Sequence, residues 1–118
     1  MNSDRIFTAL KSILEQYEPH LSVVHNKSDN YYLNTPITAT AKKAEFFGAV
    51  QIKKSYVAYH LMPIYYYPEL LESISEELKN HMQGKSCFNF NEVDEKLFME
   101  LNELTKSCYE KYKAVGKI

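Results

Sequence analysis

Apolar residues recur at helical spacing at the two ends of this chain and alternate with other residues in its middle. Near the start, Ile6, Phe7, Leu10, Ile13, Leu14 and Tyr17 form one stripe with a polar back face. That is the pattern of an amphipathic helix lying on a sheet. Ser3 suits its N-cap, Asp4 its first turn, and Pro19 ends it. Near the end, Leu97, Phe98, Leu101, Leu104, Cys108 and Tyr112 repeat the stripe. Asp94 opens this second helix and Gly116 stops it.

The middle predicts strands. Leu21-Ser22-Val23-Val24-His25 runs out and Tyr31-Tyr32-Leu33 returns. Between them Lys27-Ser28-Asp29-Asn30 supplies turn chemistry, because Asp and Asn side chains bond their own backbone. Asn34 to Ala44 holds Pro36 and several small or threonine residues, and predicts a mobile connection or flap. Glu45 to Met62 is the strongest strand pair. A two-residue turn at Lys53-Lys54 places Val50 opposite Val57, Gly48 opposite Tyr59 and Phe46 opposite Leu61, all facing the core. The other side then carries Phe47, Ala49, Gln51, Tyr56, Ala58, His60 and Met62. Lys-Lys is poor chemistry for a type I′ turn, so a longer loop stays open as an alternative, and a one-residue slip would exchange the faces.

Pro63 and Pro68 bracket Ile64-Tyr65-Tyr66-Tyr67. In extended backbone Tyr65 and Tyr67 share a side and Tyr66 opposes them. The run is then a core lid with an exposed ring, or a pocket mouth, or a dimer surface. Pro68 suits the first position of a helix with Leu70, Leu71, Ile74, Leu78 and Met82 on its apolar side. Ser73 with Glu76 fits a capping box at which that helix can restart, and Gly84 stops it. Ser86-Cys87-Phe88-Asn89-Phe90 alternates like a strand. The order α-β-β-β-β-α-β-α predicts an α+β fold, an antiparallel sheet of about five strands flanked by helices, in a single domain over residues 1–118.

Length and charge narrow the function classes. A chain of 118 residues and 13.8 kDa can close a two-layer core without disulfides or a structural metal. Its net charge of -1 gives no footprint for nucleic acid or an anionic membrane. Met1 leads straight into Asn2-Ser3-Asp4, without a leader pattern, and no apolar run approaches the roughly 20 residues of a membrane helix. These features predict a cytoplasmic protein with Cys87 and Cys108 as free thiols. Ten tyrosines against six phenylalanines and no tryptophan stand out. Tyrosine suits pocket walls and interfaces, and equally the rim of a small core.

His60 is the most suggestive single residue, in mid-strand on the side that is neither plainly core nor plainly solvent. It is a polar anchor for a ligand or a hydrogen-bonded sheet histidine. No His or Cys spacing supports a metal there. Gly84-Lys85-Ser86 lacks the first glycine of a phosphate loop and follows a helix instead of preceding one. Cys87 needs a neighbouring base or positive field to become a nucleophile. Cys108 lies on an apolar stripe and is packing. The acidic residues Glu69, Glu72, Glu76, Glu77, Asp94, Glu95, Glu100 and Glu103 alternate with Lys79, Lys96 and Lys106, as on a solvated helix face.

The hairpin Phe47-Gly48-Ala49-Val50-Gln51-Ile52 with Ser55-Tyr56-Val57-Ala58-Tyr59-His60-Leu61, followed by Gly84-Lys85-Ser86-Cys87-Phe88-Asn89-Phe90, resembles the YdhG-like family of small bacterial proteins, domain of unknown function 1801. The likeness covers Leu21 onward and implies a compact antiparallel sheet flanked by helices. One branch is described as frataxin-like iron chaperones that bind iron weakly through exposed carboxylates. The first helix here mixes Asp4, Glu15 and Glu18 with Arg5 and Lys11, so no iron site is carried over. The leading expectation is a non-enzymatic binding module for a small molecule, without a cofactor. Its floor is Phe47, Gln51, Tyr56, His60 and Met62, and its rim Tyr65, Tyr67 and Cys87. The alternatives are a homodimerising assembly module whose second copy covers the same face, and weak iron handling by the family route.

Overall fold

A computed structural model describes residues 1–118, and in it the two apolar stripes become the helices α1 (Ser3–Glu15) and α4 (Glu95–Ala114). Asn2 caps α1, one position before the expected Ser3, its side chain accepting from the Arg5 N–H. Asp94 caps α4 by accepting from the Leu97 N–H. Both helices pack on one face of a five-stranded antiparallel sheet of meander order: β1 (Ser22–Lys27), β2 (Asn30–Asn34), β3 (Phe46–Ile52), β4 (Val57–Leu61) and β5 (Cys87–Phe90). The α+β architecture expected from the sequence is the one observed.

The core lies between this face and the helices. Tyr31, Leu33, Val50, Val57, Tyr59, Leu61, Phe88 and Phe90 from the sheet meet Ile6, Leu10 and Leu14 of α1 and Leu97, Leu101, Leu104, Cys108 and Tyr112 of α4. Full burial of each large apolar side chain contributes roughly 1.5–3 kcal/mol before entropy is counted. The one polar pair inside is complete: Thr105 donates to the Leu101 carbonyl, so the Tyr59 hydroxyl donates to Thr105 Oγ1 at 2.6 Å. Beyond β5, the segment His81–Gln83 lies alongside, with Asn89 N–H donating to the His81 carbonyl and Gln83 N–H to the Cys87 carbonyl. That covers one sheet edge. At the other edge Val23 and Val24 are exposed and a bulge between Val23 and His25 interrupts β1.

Three expectations are corrected. The β3–β4 turn centres on Lys54-Ser55: Lys53 N–H donates to the Tyr56 carbonyl, and Gly48 faces Leu61, Val50 faces Tyr59 and Ile52 faces Val57. Moving a two-residue turn by one position moves every partner by two, a full side-chain period, so the faces survive while the pairs change.

The second correction concerns Phe46 and Phe47, which exchange roles. The β2–β3 register shifts between Leu33, opposite Gly48, and Asn34, opposite Phe46. Phe47 is the extra residue and turns into the core, edge-on to Tyr112 with centroids 5.9 Å apart. Gly48 follows it on the same side; a Cβ there would come within 2.9 Å of the His60 carbonyl oxygen and 3.3 Å of Leu14. Two consecutive residues facing one side is what a bulge produces, and the missing side chain makes room for it.

The third correction is local to the β4–β5 connection. Pro63 starts a helical turn, α2 (Pro63–Tyr66), so Tyr65, Tyr66 and Tyr67 splay apart instead of alternating. The long helix expected after Pro68 is a 3₁₀ turn over Pro68–Leu71 and one turn, α3 (Glu76–Lys79). Its cap is Ser75, not Ser73. The Ser75 N–H and hydroxyl both donate to the Glu100 carboxylate on α4, at 2.9 and 2.8 Å, while its oxygen accepts from Leu78 N–H. A tertiary contact thus outcompetes the local capping box.

Candidate functional site

The helices leave the second sheet face uncovered, and period-two alternation decides what it carries. The register sets His25, Tyr32, Ala49, His60 and Cys87 side by side across all five strands. The bulge adds Phe46. Its ring stacks on Tyr32 at 4.5 Å and meets His60 edge-on at 6.3 Å, while Tyr32 meets His25 at 5.7 Å. Cys87 Sγ lies 3.7 Å from His60 Nε2. A continuous strip, His25–Tyr32–Phe46–His60–Cys87, therefore crosses the sheet over a floor that includes the buried Ala49 and Ala58.

Most polar groups beside the strip are partnered, while the buried Asn34 Oδ1, on the residue opposite Phe46, has no hydrogen-bond partner. Gln51 donates to Asn30 Oδ1 at 3.2 Å. The Cys87 thiol donates to Asn89 Oδ1 at 3.3 Å, and the Asn89 amide donates to Gln83 Oε1. Burial pushes the Cys87 thiol up from its ordinary value, partly offset by the Lys53 ammonium. Burial, then Lys53, holds His60 below the usual histidine range. Both effects favour a neutral thiol beside a neutral imidazole. The S–H has two side-chain acceptors in reach, Asn89 Oδ1 at 3.3 Å and His60 Nε2 at 3.7 Å.

The expected site residues divide. The open face brings together Gln51, His60 and Cys87. Phe47 is in the core instead. Tyr56 is half-buried in the β3–β4 turn. Met62 is half-buried where β4 becomes α2, its N–H donating to the Phe47 carbonyl. Tyr65 is exposed, edge-on to Tyr66, with the Lys85 ammonium 6.0 Å from its ring. Tyr67 packs against Tyr112 of α4 and holds Lys111 over its ring at 4.8 Å, so it belongs to the helical layer.

Sequence reasoning missed His25, Tyr32, Phe46 and Asn89. Alternation around buried Leu33 was a sufficient signal for Tyr32, and the hairpin then brings His25 to it. Phe46 had no such signal, because alternation alone assigns it to the core.

No three His, Cys, Asp or Glu side chains converge in a metal-ligating group. No helix is long and apolar enough to cross a membrane. The main cavity, about 920 Å³, opens away from the strip, on the helical layer between α1, α4 and Ser73-Ile74. Ile13, Ile74, Phe98 and Leu104 give it apolar walls, and Glu95 and Glu103 an acidic rim. Searches among protein-family models, curated proteins and solved structures find no match to the chain.

Proposed function

We propose that this protein is a non-enzymatic binding module whose contact surface is the open sheet face centred on His60. The observation that carries the reading is the unbroken side-chain strip from His25 to Cys87. Aromatic surface with a few polar groups is the composition of a recognition site. Neutral His60 offers one donor and one acceptor for orientation, while Phe46 and Tyr32 supply apolar area. The neutral thiol–imidazole pair supports the non-enzymatic part. The ligand class that fits is an apolar small molecule bearing one hydrogen-bonding group. The likeness of the hairpin to the YdhG-like family, and a cytoplasmic location, remain part of this proposal. The iron-handling alternative gains no support from the side-chain geometry.

A thermal-shift screen of heteroaromatic fragments against the wild type, His60→Ala and Tyr32→Ala tests it. Stabilisation of the wild type that both variants lose is expected. Equal stabilisation of all three, or of none, counts against the reading. A second copy of the chain as occupant is the other reading, favoured by two observations: no helix walls the strip, and the main cavity lies elsewhere. Light scattering separates the two. A dimer that His60→Ala or Tyr32→Ala dissociates supports the assembly reading, and a monomer at all concentrations supports the ligand reading.

A further inference from the structure

Lys117 follows the end of α4. Gly116, at φ 83°, closes that helix: its N–H donates to the Lys113 carbonyl, and the Lys117 N–H donates to the Tyr112 carbonyl. This is the Schellman pattern, in which the residue after the glycine folds back over the last turn. An apolar side chain commonly fills that position. Here it is an ammonium, 4.8 Å from the centroid of the Tyr112 ring, 4.9 Å from that of Tyr66 and 3.3 Å from Glu45 Oε1. Two π faces and one carboxylate around a single cation make an aromatic cage.

The cage is built from parts with independent support. Tyr66 ends α2 and is 54% exposed, so the site reaches solvent. Tyr112 is fully buried and braced edge-on by Phe47 and by Tyr67. Its hydroxyl is shielded from water and has no hydrogen-bond partner. Glu45 is held at the backbone by Thr35, whose N–H donates to the Glu45 carbonyl at 2.7 Å and whose hydroxyl accepts from the Glu45 N–H at 2.9 Å. The walls therefore come from three regions of the chain, with Tyr112 and Glu45 held in place and Tyr66 open to solvent, while the occupant is one long, flexible side chain.

We propose that Tyr66, Tyr112 and Glu45 form a binding site for an alkylated ammonium group, in which Lys117 is the resident and displaceable cation. Aromatic faces reward a weakly hydrated cation more than a strongly hydrated primary ammonium, so a methylated ammonium displaces lysine. The end groups of trimethyl-lysine and choline share this chemistry. A tethered occupant competes at an effective concentration in the millimolar range, so the external ligand binds the wild type weakly and a chain without Lys117 more tightly. The site shares no residue with the open-face strip and stands independently of it.

The test is a titration of Lys117→Ala with choline and, separately, with a trimethyl-lysine peptide, followed by NMR of the tyrosine ring protons. Saturable shifts of Tyr66 and Tyr112 are expected, about tenfold tighter than in the wild type. They should be lost in Lys117→Ala with Tyr66→Ala and weakened with Glu45→Gln. The tighter of the two probes identifies the source. Lys117→Met, which keeps the stem and drops the charge, replaces the alanine variant if that one unfolds. Absence of saturable shifts in a folded variant overturns the proposal. So does an equal response to 3,3-dimethylbutanol, the neutral analogue of choline.

Discussion

Tyr59 and His60 are neighbours in β4 and live in different solvents. Tyr59 points into the helical layer, fully buried, its hydroxyl given to Thr105. His60 points the other way, half-buried beside Phe46 and Cys87, with no helix over it. The same contrast holds for Phe47 and Phe46 in β3. One face of the sheet is closed by α1 and α4 and carries the stability. The other is aromatic yet uncovered by any helix. A strand can serve both ends because successive side chains alternate. The bulge at Phe46-Phe47 breaks that alternation in β3, and it adds an aromatic ring to each face.

The largest effect that can break this comparison comes from that phenylalanine pair. Phe47→Ala opens a cavity against Tyr112 and should cost about 3–5 kcal/mol in denaturant unfolding. Phe46→Ala loses one stacked partner on the open face and should cost about 1 kcal/mol. Similar costs for the two would mean that the faces are not distinct. Next comes Gly48→Ala. A new Cβ meets the His60 carbonyl and Leu14, so an expected cost of about 1–3 kcal/mol follows from overpacking. A neutral result would show that the bulge does not need the empty position. Smaller still is Tyr59→Phe. It removes one donor while Thr105 keeps its bond to Leu101, and about 1 kcal/mol is expected.

The faces should also differ in their response to pH. On the closed face, burial raises the pKa of Tyr59 and Tyr112 and pushes the Cys108 thiol up to about 12. Their stabilising contribution is present below the ordinary pKa values and is lost as pH rises through the folded ones, because the unfolded chain gives up these protons first. On the open face, the depressed His60 contributes stability above the ordinary histidine pKa of 6.5 and loses it as pH falls through the lower folded value. Chemical unfolding across pH should therefore show an alkaline loss that the buried groups share. It should also show an acid loss, within the histidine range, that His60→Gln reduces. An acid limb unchanged in His60→Gln would remove His60 as its source.

Much of this design was legible in the sequence. Both long helices, Asp94 as a cap, Gly116 as a stop and the faces of Val50, Tyr59, Gln51 and His60 follow from periodicity and capping chemistry. The turn was misplaced by one residue, yet the faces held because the partners moved by two. The bulge was not legible, since it arises from how β2 and β3 pair and not from either strand alone. The Ser75 cap depends on Glu100, 25 residues away. The turn at Tyr65 and Tyr66 had a usable signal in Pro63, a good first helical residue, that the aromatic run obscured. Lys117 over Tyr112 follows from the Gly116 stop, whereas its meeting with Tyr66 and Glu45 requires the third dimension.

The most direct test of the open face as the recognition surface is a chemical-shift map of isotopically labelled protein during titration with fragments that stabilise it. The largest shifts are expected on His25, Tyr32, Phe46, His60 and Cys87 together, with the helical layer unmoved. Shifts concentrated instead on Ile13, Phe98 and Leu104, in the cavity between α1 and α4, would contradict it.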